Sequence, residues 1–231
     1  MNLEIRIAVE NDLIAPLCFE DSTSSFSEVF VLKEYEQLGI NARKWIDLGS
    51  NNGFFSLFLS SKTDPSERKN LQALLIDGDP RSLVCLQENK KVNQNLNGFR
   101  FEQGIIAQGS GEIGFEIKRH MFSKVNQESQ FKVPILDQDH ILELISPPFD
   151  LIKVDIEGSE VDFIQNYPKL LKETKGLIIE WHSWNPQKIS EAGFKQLLSN
   201  SGFSRITSFH PRLITQKKGQ NEYCLTFLAQ K

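Results

Sequence analysis

From residue 44 onward one pattern recurs: a short apolar run, a turn holding glycine or acid, then a longer stretch with helical spacing. The apolar runs are "KWIDL", "LQALLID", "FDLIKVDI" and "GLIIEW". Each has strand length and is apolar on both of its alternating faces, which marks a strand covered above and below. "GFFSLFLSS", "PRSLVCLQENKKVNQ", "SEVDFIQNYPKLLKE" and "NPQKISEAGFKQLLSNSG" are predicted helices, the second with Pro80 at its opening, where no backbone N–H is needed. "FRFEQGII" and "EIGFEI" are predicted strands flanking a glycine-bearing turn. Strands that alternate with helices run mostly parallel, in a sheet covered on both faces. "FSRITSF" and "YCLTFLAQ" close the chain with only the polar stretch "HPRLITQKKGQNE" between them, read as a loop, so they pair as an antiparallel edge hairpin.

The expected fold is therefore α/β: a Rossmann-like, doubly wound, mostly parallel seven-stranded sheet with an antiparallel C-terminal hairpin. Residues 1–43 read as a short N-terminal strand and helix extension and residues 44–231 as the core, together one domain. In the extension "LEIRIAV" is a predicted strand. "FSEVFVLKEYEQLGI" is a predicted helix with Phe26, Val29, Phe30, Leu32 and Leu38 on one face and Ser24 or Ser25 as N-cap. With 17 Phe and 39% hydrophobic residues, the chain has material for a substantial core. Its net charge is −4 and its 26 Lys and Arg are scattered, which argues against the basic stripe of a nucleic-acid binder. Cys18, Cys85 and Cys224 show no CxxC spacing, so neither a disulfide framework nor a zinc site is indicated. The first residues lack the pattern of a signal peptide, and no apolar run approaches the ~20 residues of a membrane helix. A cytoplasmic protein without nucleic-acid or membrane partners is expected; oligomeric state is left open.

In an open α/β sheet, ligands sit beyond the carboxyl ends of the strands. The first such end carries Asp47-x-Gly49-x-x-x-Gly53. It matches neither the dinucleotide spacing, because position 51 is Asn, nor the P-loop, because no Lys-Ser or Lys-Thr follows. An NAD-dependent oxidoreductase is disfavoured on that ground. Gly49 lets backbone approach a ligand, Asp47 can accept hydrogen bonds from a cationic amino group, and Gly53 opens a helix whose free amides favour a carboxylate. That combination suits the zwitterionic end of an amino acid. "LLIDGDP" adds Asp77 at the tip of the next strand, where a carboxylate can take both hydroxyls of a ribose, with Asp79 as the competing candidate or as a helix cap. A ribose on one side and a zwitterion on the other point to S-adenosylmethionine.

"WIDLGSNNGFFSLFLS", "LLIDGDPRSLVCLQENKKVNQ", "VPILDQ", "DLIKVDIEGSEVDFI" and "LIIEWH" resemble, in order and spacing, the blocks of the FkbM-type methyltransferases of the class I S-adenosylmethionine-dependent superfamily. The resemblance spans roughly residues 24–182. It implies methylation of hydroxyl oxygens on natural products, sugars or lipids. One departure is Asp77-Gly78, where the family usually has Glu-Pro. The cofactor-binding set expected from the turn and the resemblance together is Asp47, Gly49, Ser50, Asn51, Gly53, Phe54, Asp77, Gly78, Ile105, Ile106 and Asp155.

"KVDIEGSE" gathers Asp155, Glu157 and Glu160 around one glycine. Such a concentration of like charge points to function for Asp155 and Glu157, whereas Glu160 fits an acid stabilised by the first turn of a helix. "LIIEWHSW" brings Glu180 and His182 to the next strand end on one face, since side chains alternate. His182 is the candidate general base, oriented by Glu180 or by the Asp155–Glu157 turn. Trp181 and Trp184 fit either a substrate wall or core packing. Asp155, Glu157, Glu180 and His182 also form an oxygen-and-nitrogen set of the kind that holds a divalent metal, but neither spacing nor ligand mix is diagnostic, and a metal is not favoured. His120, His140 and His210 have no evident partners, and "HMFSKVNQESQ" reads as a loop on the substrate side. The expected activity is methyl transfer to a hydroxyl of a small molecule, sugar or lipid-linked glycan; the alternative is a non-catalytic S-adenosylmethionine-binding scaffold of the same fold.

Overall fold

The structure, a computed structural model, describes residues 5–18, 22–118, 123–217 and 220–231. In chain order the regular elements are β1 (Ile5–Ala8), β2 (Ile14–Leu17), α1 (Ser22–Phe26), β3 (Lys44–Leu48), α2 (Phe54–Ser61), β4 (Gln72–Asp77) and α3 (Pro80–Val92). There follow β5 (Phe99–Gln103), β6 (Glu112–Glu116), β7 (Lys124–Val125), β8 (Lys132–Pro134), α4 (Gln138–Leu144), β9 (Phe149–Val154) and α5 (Glu160–Asn166). The chain ends in α6 (Pro168–Glu173), β10 (Thr174–His182), α7 (Glu191–Asn200), β11 (Arg205–Lys217) and β12 (Gln220–Gln230). The main sheet has seven strands in the order β11-β12-β10-β9-β3-β4-β5. Neighbours among β5, β4, β3, β9 and β10 pair in parallel, while β12 is antiparallel to both β10 and β11. This is the mostly parallel α/β sheet expected from the alternation of runs.

Side-chain alternation sorts the strands onto two cores. Ile46 and Leu48 of β3, Leu74 and Ile76 of β4, and Ile152 and Val154 of β9 face a layer holding Ile141, Val161, Phe163, Leu170, Phe194 and Leu198 of the later helices. Trp45, Ala73, Leu75 and Leu151 face the other way, against α2, Leu86 of α3 and the N-terminal residues Leu13, Ala15, Val29, Tyr35 and Leu38. Phe54, 1% exposed, lies edge-on to both Phe26 and Phe30. Burying an aromatic side chain of this kind contributes roughly 1.5–3 kcal/mol. The N-terminal segment thus covers the face of the sheet that carries Trp45, Ala73, Leu75 and Leu151.

Several sequence expectations change. The helix expected over 26–40 is broken: α1 begins at Ser22, so Ser24 and Ser25 lie inside it rather than capping it, and a wider turn over Ser27–Val31 ends before Lys33 at φ +54°. Left-handed backbone at a lysine cannot continue a helix, and Leu32, expected on the buried face, is 67% exposed. The helix over 159–173 is divided at Tyr167 by Pro168, which has no N–H to donate. Most of the predicted C-terminal loop is strand, with irregular pairing between Phe209 and Arg212 and between Leu213 and Thr215. A small sheet in the order β7-β6-β8 stands apart from the main one and includes β6. Residues 119–122, with His120 and the start of the expected substrate-side loop, lie outside the described residues, as does the side chain of His210.

Candidate active site

The chain builds β3, β4 and β5 outward in one direction and then returns to lay β9 on the other side of β3. A crevice opens beyond the strand ends where that direction reverses. Gly49 stands there at φ +70°, and a Cβ on it would lie 1.7 Å from the Asp155 carbonyl oxygen at the end of β9. Glycine is required on both counts, since only it takes this φ freely and leaves the space. The Gly49 and Ser50 amides donate to the Ile76 carbonyl at 2.9 and 3.0 Å, which ties the turn to β4. Ser50 Oγ and Asn51 Oδ1 are buried without a hydrogen-bond partner among the described residues. Both residues line the cleft, so a polar ligand bound there would complete these atoms.

Asp77 sits on the far side of this turn and lines the same cleft. Its two oxygens accept the Asp79 and Asn51 amides at 2.8 and 2.7 Å. Burial pushes its carboxyl up to about 6 against the opposing effect of those amides. Asp79 is otherwise occupied: it caps α3 through the Arg81 amide at 2.9 Å, pairs with the Arg81 guanidinium at 2.6 Å and accepts from Ser123 Oγ at 3.0 Å. The glycine that replaces the usual proline has a local cause, because a Cβ at Gly78 would meet Ile105 Cγ2 at 2.7 Å and Phe115 Cε2 at 2.9 Å. Ile105 and Ile106, with Phe54, add apolar surface to the cleft.

Two residues assigned to the ligand from sequence do not face it. Asp47 shares its face with Trp45 and is fully buried. Ser56 Oγ donates to Asp47 Oδ2 at 2.8 Å while accepting from Trp45 Nε1 at 2.9 Å, and Lys153 Nζ lies 3.6 Å from Asp47 Oδ1. The cation that Asp47 meets is therefore the protein's own. Lys153 also donates to the Gly49 carbonyl at 2.9 Å and approaches Asp155 Oδ2 at 3.5 Å, so it pins three parts of the crevice together. Gly53 packs rather than binds: at φ +74°, its missing Cβ would meet Leu86 Cδ2 at 2.6 Å, and its amide bonds to the Ser50 carbonyl.

At the other end of the cleft Asp155 and Glu157 line the wall, with Glu180 and His182 buried behind them. The orienting partner of His182 is Glu160, not Glu180 or the Asp155–Glu157 turn: its Oε1 lies 2.9 Å from His182 Nδ1. Glu160 Oε1 also accepts the Gly158 and Ile156 amides at 3.0 and 3.3 Å, so Nδ1 carries the hydrogen. Nε2 then points toward Asp155 Oδ1 at 4.0 Å and Glu180 Oε1 at 3.9 Å. Burial pulls the imidazolium down, but Glu160, Glu180 and Glu157 outweigh it and hold His182 up to about 10. Burial likewise pushes Glu157 up to about 8, against the pull of His182 and with the push of Asp155, Glu160 and Glu180. In this state His182 is an imidazolium at neutral pH and serves as a donor, so the free base expected from sequence is absent. Trp184 packs on the His182 ring at 4.5 Å, whereas Trp181, 2% exposed and edge-on to Tyr223, belongs to the core.

Both groups hold their protons more tightly when folded than at their ordinary values of 4.5 and 6.5. The stability due to His182 is complete below about pH 6.5 and is lost as pH rises through about 10; that due to Glu157 is lost from about 4.5 through about 8. The Tm of the metal-free protein should fall across this range, and Glu160→Ala should flatten the upper part of the fall. A Tm unchanged between roughly pH 7 and 10 would contradict the charge arrangement described.

A crevice at the reversal of a seven-stranded sheet, with a glycine crossing and an acid at the neighbouring strand tip, is where an α/β fold of this kind binds its ligand. The model of the FkbM methyltransferase domain matches residues 47–209, and the chain belongs to that family. No curated protein sequence matches the chain. Among solved structures it is similar to Pyrococcus horikoshii TYW2 in complex with MeSAdo, at 14% identity and a TM-score of 0.52, covering 99% of this chain and 72% of that one. It is also similar to the N-terminal domain of EvdMO1 with SAH bound, at 14% identity and a TM-score of 0.49, covering 91% and 79%. Among the described residues no helix is long and apolar enough to cross a membrane.

Sequence reasoning missed Lys153 and the role of Glu160. The first had a signal in a lysine set inside the apolar run "DLIKVDI"; the second had none, because its partner lies 22 residues away on another element.

Proposed function

We propose that the protein transfers the methyl group of S-adenosylmethionine to a hydroxyl oxygen of a small molecule, sugar or lipid-linked glycan, in the cytoplasm. The observation that carries this reading is the Asp155–Glu157–His182 cluster at the end of the cleft opposite Asp77. The residues fit the cofactor: Asp77 would take the ribose, the Ser50 and Asn51 atoms its polar groups, and Ile105 and Ile106 the adenine, and all five residues line the cleft. Bound there, the cofactor supplies an electrophilic methyl on a sulfonium. The chain's part is to align an acceptor oxygen with that methyl and to manage the proton the oxygen loses. An alcohol is a poor nucleophile while it keeps its proton, and the carboxylates beside His182 make this end of the cleft the place to remove it. MeSAdo in the TYW2 neighbour is in keeping with this use of the fold.

Calorimetry with S-adenosylhomocysteine, NAD and ATP, followed by turnover with candidate alcohols, tests the reading. Binding of the sulfur ligand with methyl transfer to oxygen is expected; binding without turnover on any hydroxyl acceptor favours the scaffold alternative, and tight NAD binding alone sinks both. Asp77→Ala should weaken S-adenosylhomocysteine by roughly 1.5–3 kcal/mol, the scale of hydrogen bonds to a charged group. Asp79→Ala should instead cost about 1 kcal/mol of stability through loss of the α3 cap. The reverse outcome would assign the ribose to Asp79.

A further inference from the structure

Cys18 and Cys85 lie far apart in the chain and meet in the fold. β2 runs along the buried face of α3: the Ile14 amide donates to Asn93 Oδ1 at 2.8 Å, and Asn93 Nδ2 donates back to the Ile14 carbonyl at 2.8 Å. Cys85, Asn89 and Asn93 follow at the helical spacing of four, so they share that face. The helix from Asn93 back to Cys85 spans about 12 Å, and the extended chain from Ile14 to Cys18 spans about 13 Å. Strand and helix therefore come level again at the two cysteines. The contact is direct: the Cys85 thiol hydrogen-bonds with the Cys18 thiol, the Cys18 amide and the Ser22 hydroxyl. Both cysteines are free thiols.

The two differ in access. Cys18 is partly buried, whereas Cys85 is 0% exposed. Cys18 first, and burial second, keep the proton on Cys85, so the attacking sulfur is that of Cys18, the one an oxidant can reach. A covalent link here would join two walls of the cleft. Ser25, Glu28 and Val29, in the segment that follows Cys18, line it, as do Asp79, Arg81 and Ser82 at the start of α3.

We propose that Cys18 and Cys85 are a redox-sensitive pair that closes to a disulfide and clamps the N-terminal segment to α3. The Cys18 thiolate attacks one sulfur of a disulfide oxidant such as glutathione disulfide, whose S–S bond breaks to release one glutathione. Cys85 then attacks the Cys18 sulfur, its proton passing to the second glutathione as that leaves. Two protein thiols are oxidised and one glutathione disulfide is reduced to two thiols. The pair is independent of the methyltransferase reading.

The test is oxidation of the native full-length chain with glutathione disulfide, read by thiol counting and by mass spectrometry of an unreduced digest. Loss of two hydrogens per chain and a Cys18–Cys85 cross-linked peptide are expected, with Cys224, 1% exposed on β12, still a free thiol. Closing the chain between 18 and 85 should raise Tm by about 5–15 °C, reversed by dithiothreitol, because a cross-link restricts mainly the unfolded chain. Cys18→Ser alters the more accessible member and should show neither cross-link nor shift; Cys85→Ala should behave likewise. Glutathione retained on Cys18 without a cross-link, a Cys18–Cys18 dimer, or a link that forms only in denaturant overturns the pair. So does a cross-linked chain whose Tm falls.

Discussion

Gly49→Ala is expected to abolish detectable S-adenosylhomocysteine binding and to lower Tm. A side chain here holds φ +70° only with strain, of the order of 1–2 kcal/mol for an L-residue in left-handed backbone. The larger effect is steric. The added Cβ would overlap the Asp155 carbonyl, with 1.7 Å between them, and both partners are backbone, so no rotamer relieves it. The ends of β3 and β9 must separate, which moves the Lys153 bond to the Gly49 carbonyl, the cradle at Ser50 and Asn51, and Asp155 itself. Gly39→Ala is the control: it has φ +57° but open space around it, so it carries the strain without the overlap. If both variants lose binding equally, the crossing at Gly49 is not what shapes the crevice.

His182→Ala is expected to lower turnover by ~10²–10⁴-fold, the usual scale of general acid–base catalysis, because its imidazolium faces the carboxylates that take the reacting proton, while S-adenosylhomocysteine affinity stays nearly constant. The separation is expected because His182 is absent from the residues that line the cofactor end, yet faces Asp155 and Glu157, which do line the cleft. Glu160→Ala should cost less, about 10- to 100-fold, because it acts through the orientation of His182. Steady-state kinetics with any accepted alcohol, beside calorimetry on the same variants, reads both numbers. A His182 variant with full turnover would place the proton step elsewhere.

The central strands were legible because their apolar runs leave no wetted face, and a parallel sheet follows from the helices between them. β2 was not: "IAPL" is short and carries Pro16, which demotes a run as a strand, and it exists here by pairing with β1. The C-terminal hairpin was legible, but the inner part of β11 and β12 read as loop because an edge pair can carry polar residues and irregular pairing. In the site, strand ends and glycine spacing located Gly49, Asp77, Asp155 and His182 on one cleft or its wall. Asp47 was assigned to a ligand because position along a strand was read without its face; parity with Trp45 would have sent it inward. The pairing of Glu160 with His182 depends on how α5 docks beside β10, which no local pattern encodes.

A crystal structure with S-adenosylhomocysteine bound tests most directly whether this cleft works as a methyl-transfer site. The ribose hydroxyls should lie within hydrogen-bond distance of Asp77, and the sulfur should face Asp155, Glu157 and His182. A ligand seated the other way round, or a sulfur turned from that cluster, would contradict the account.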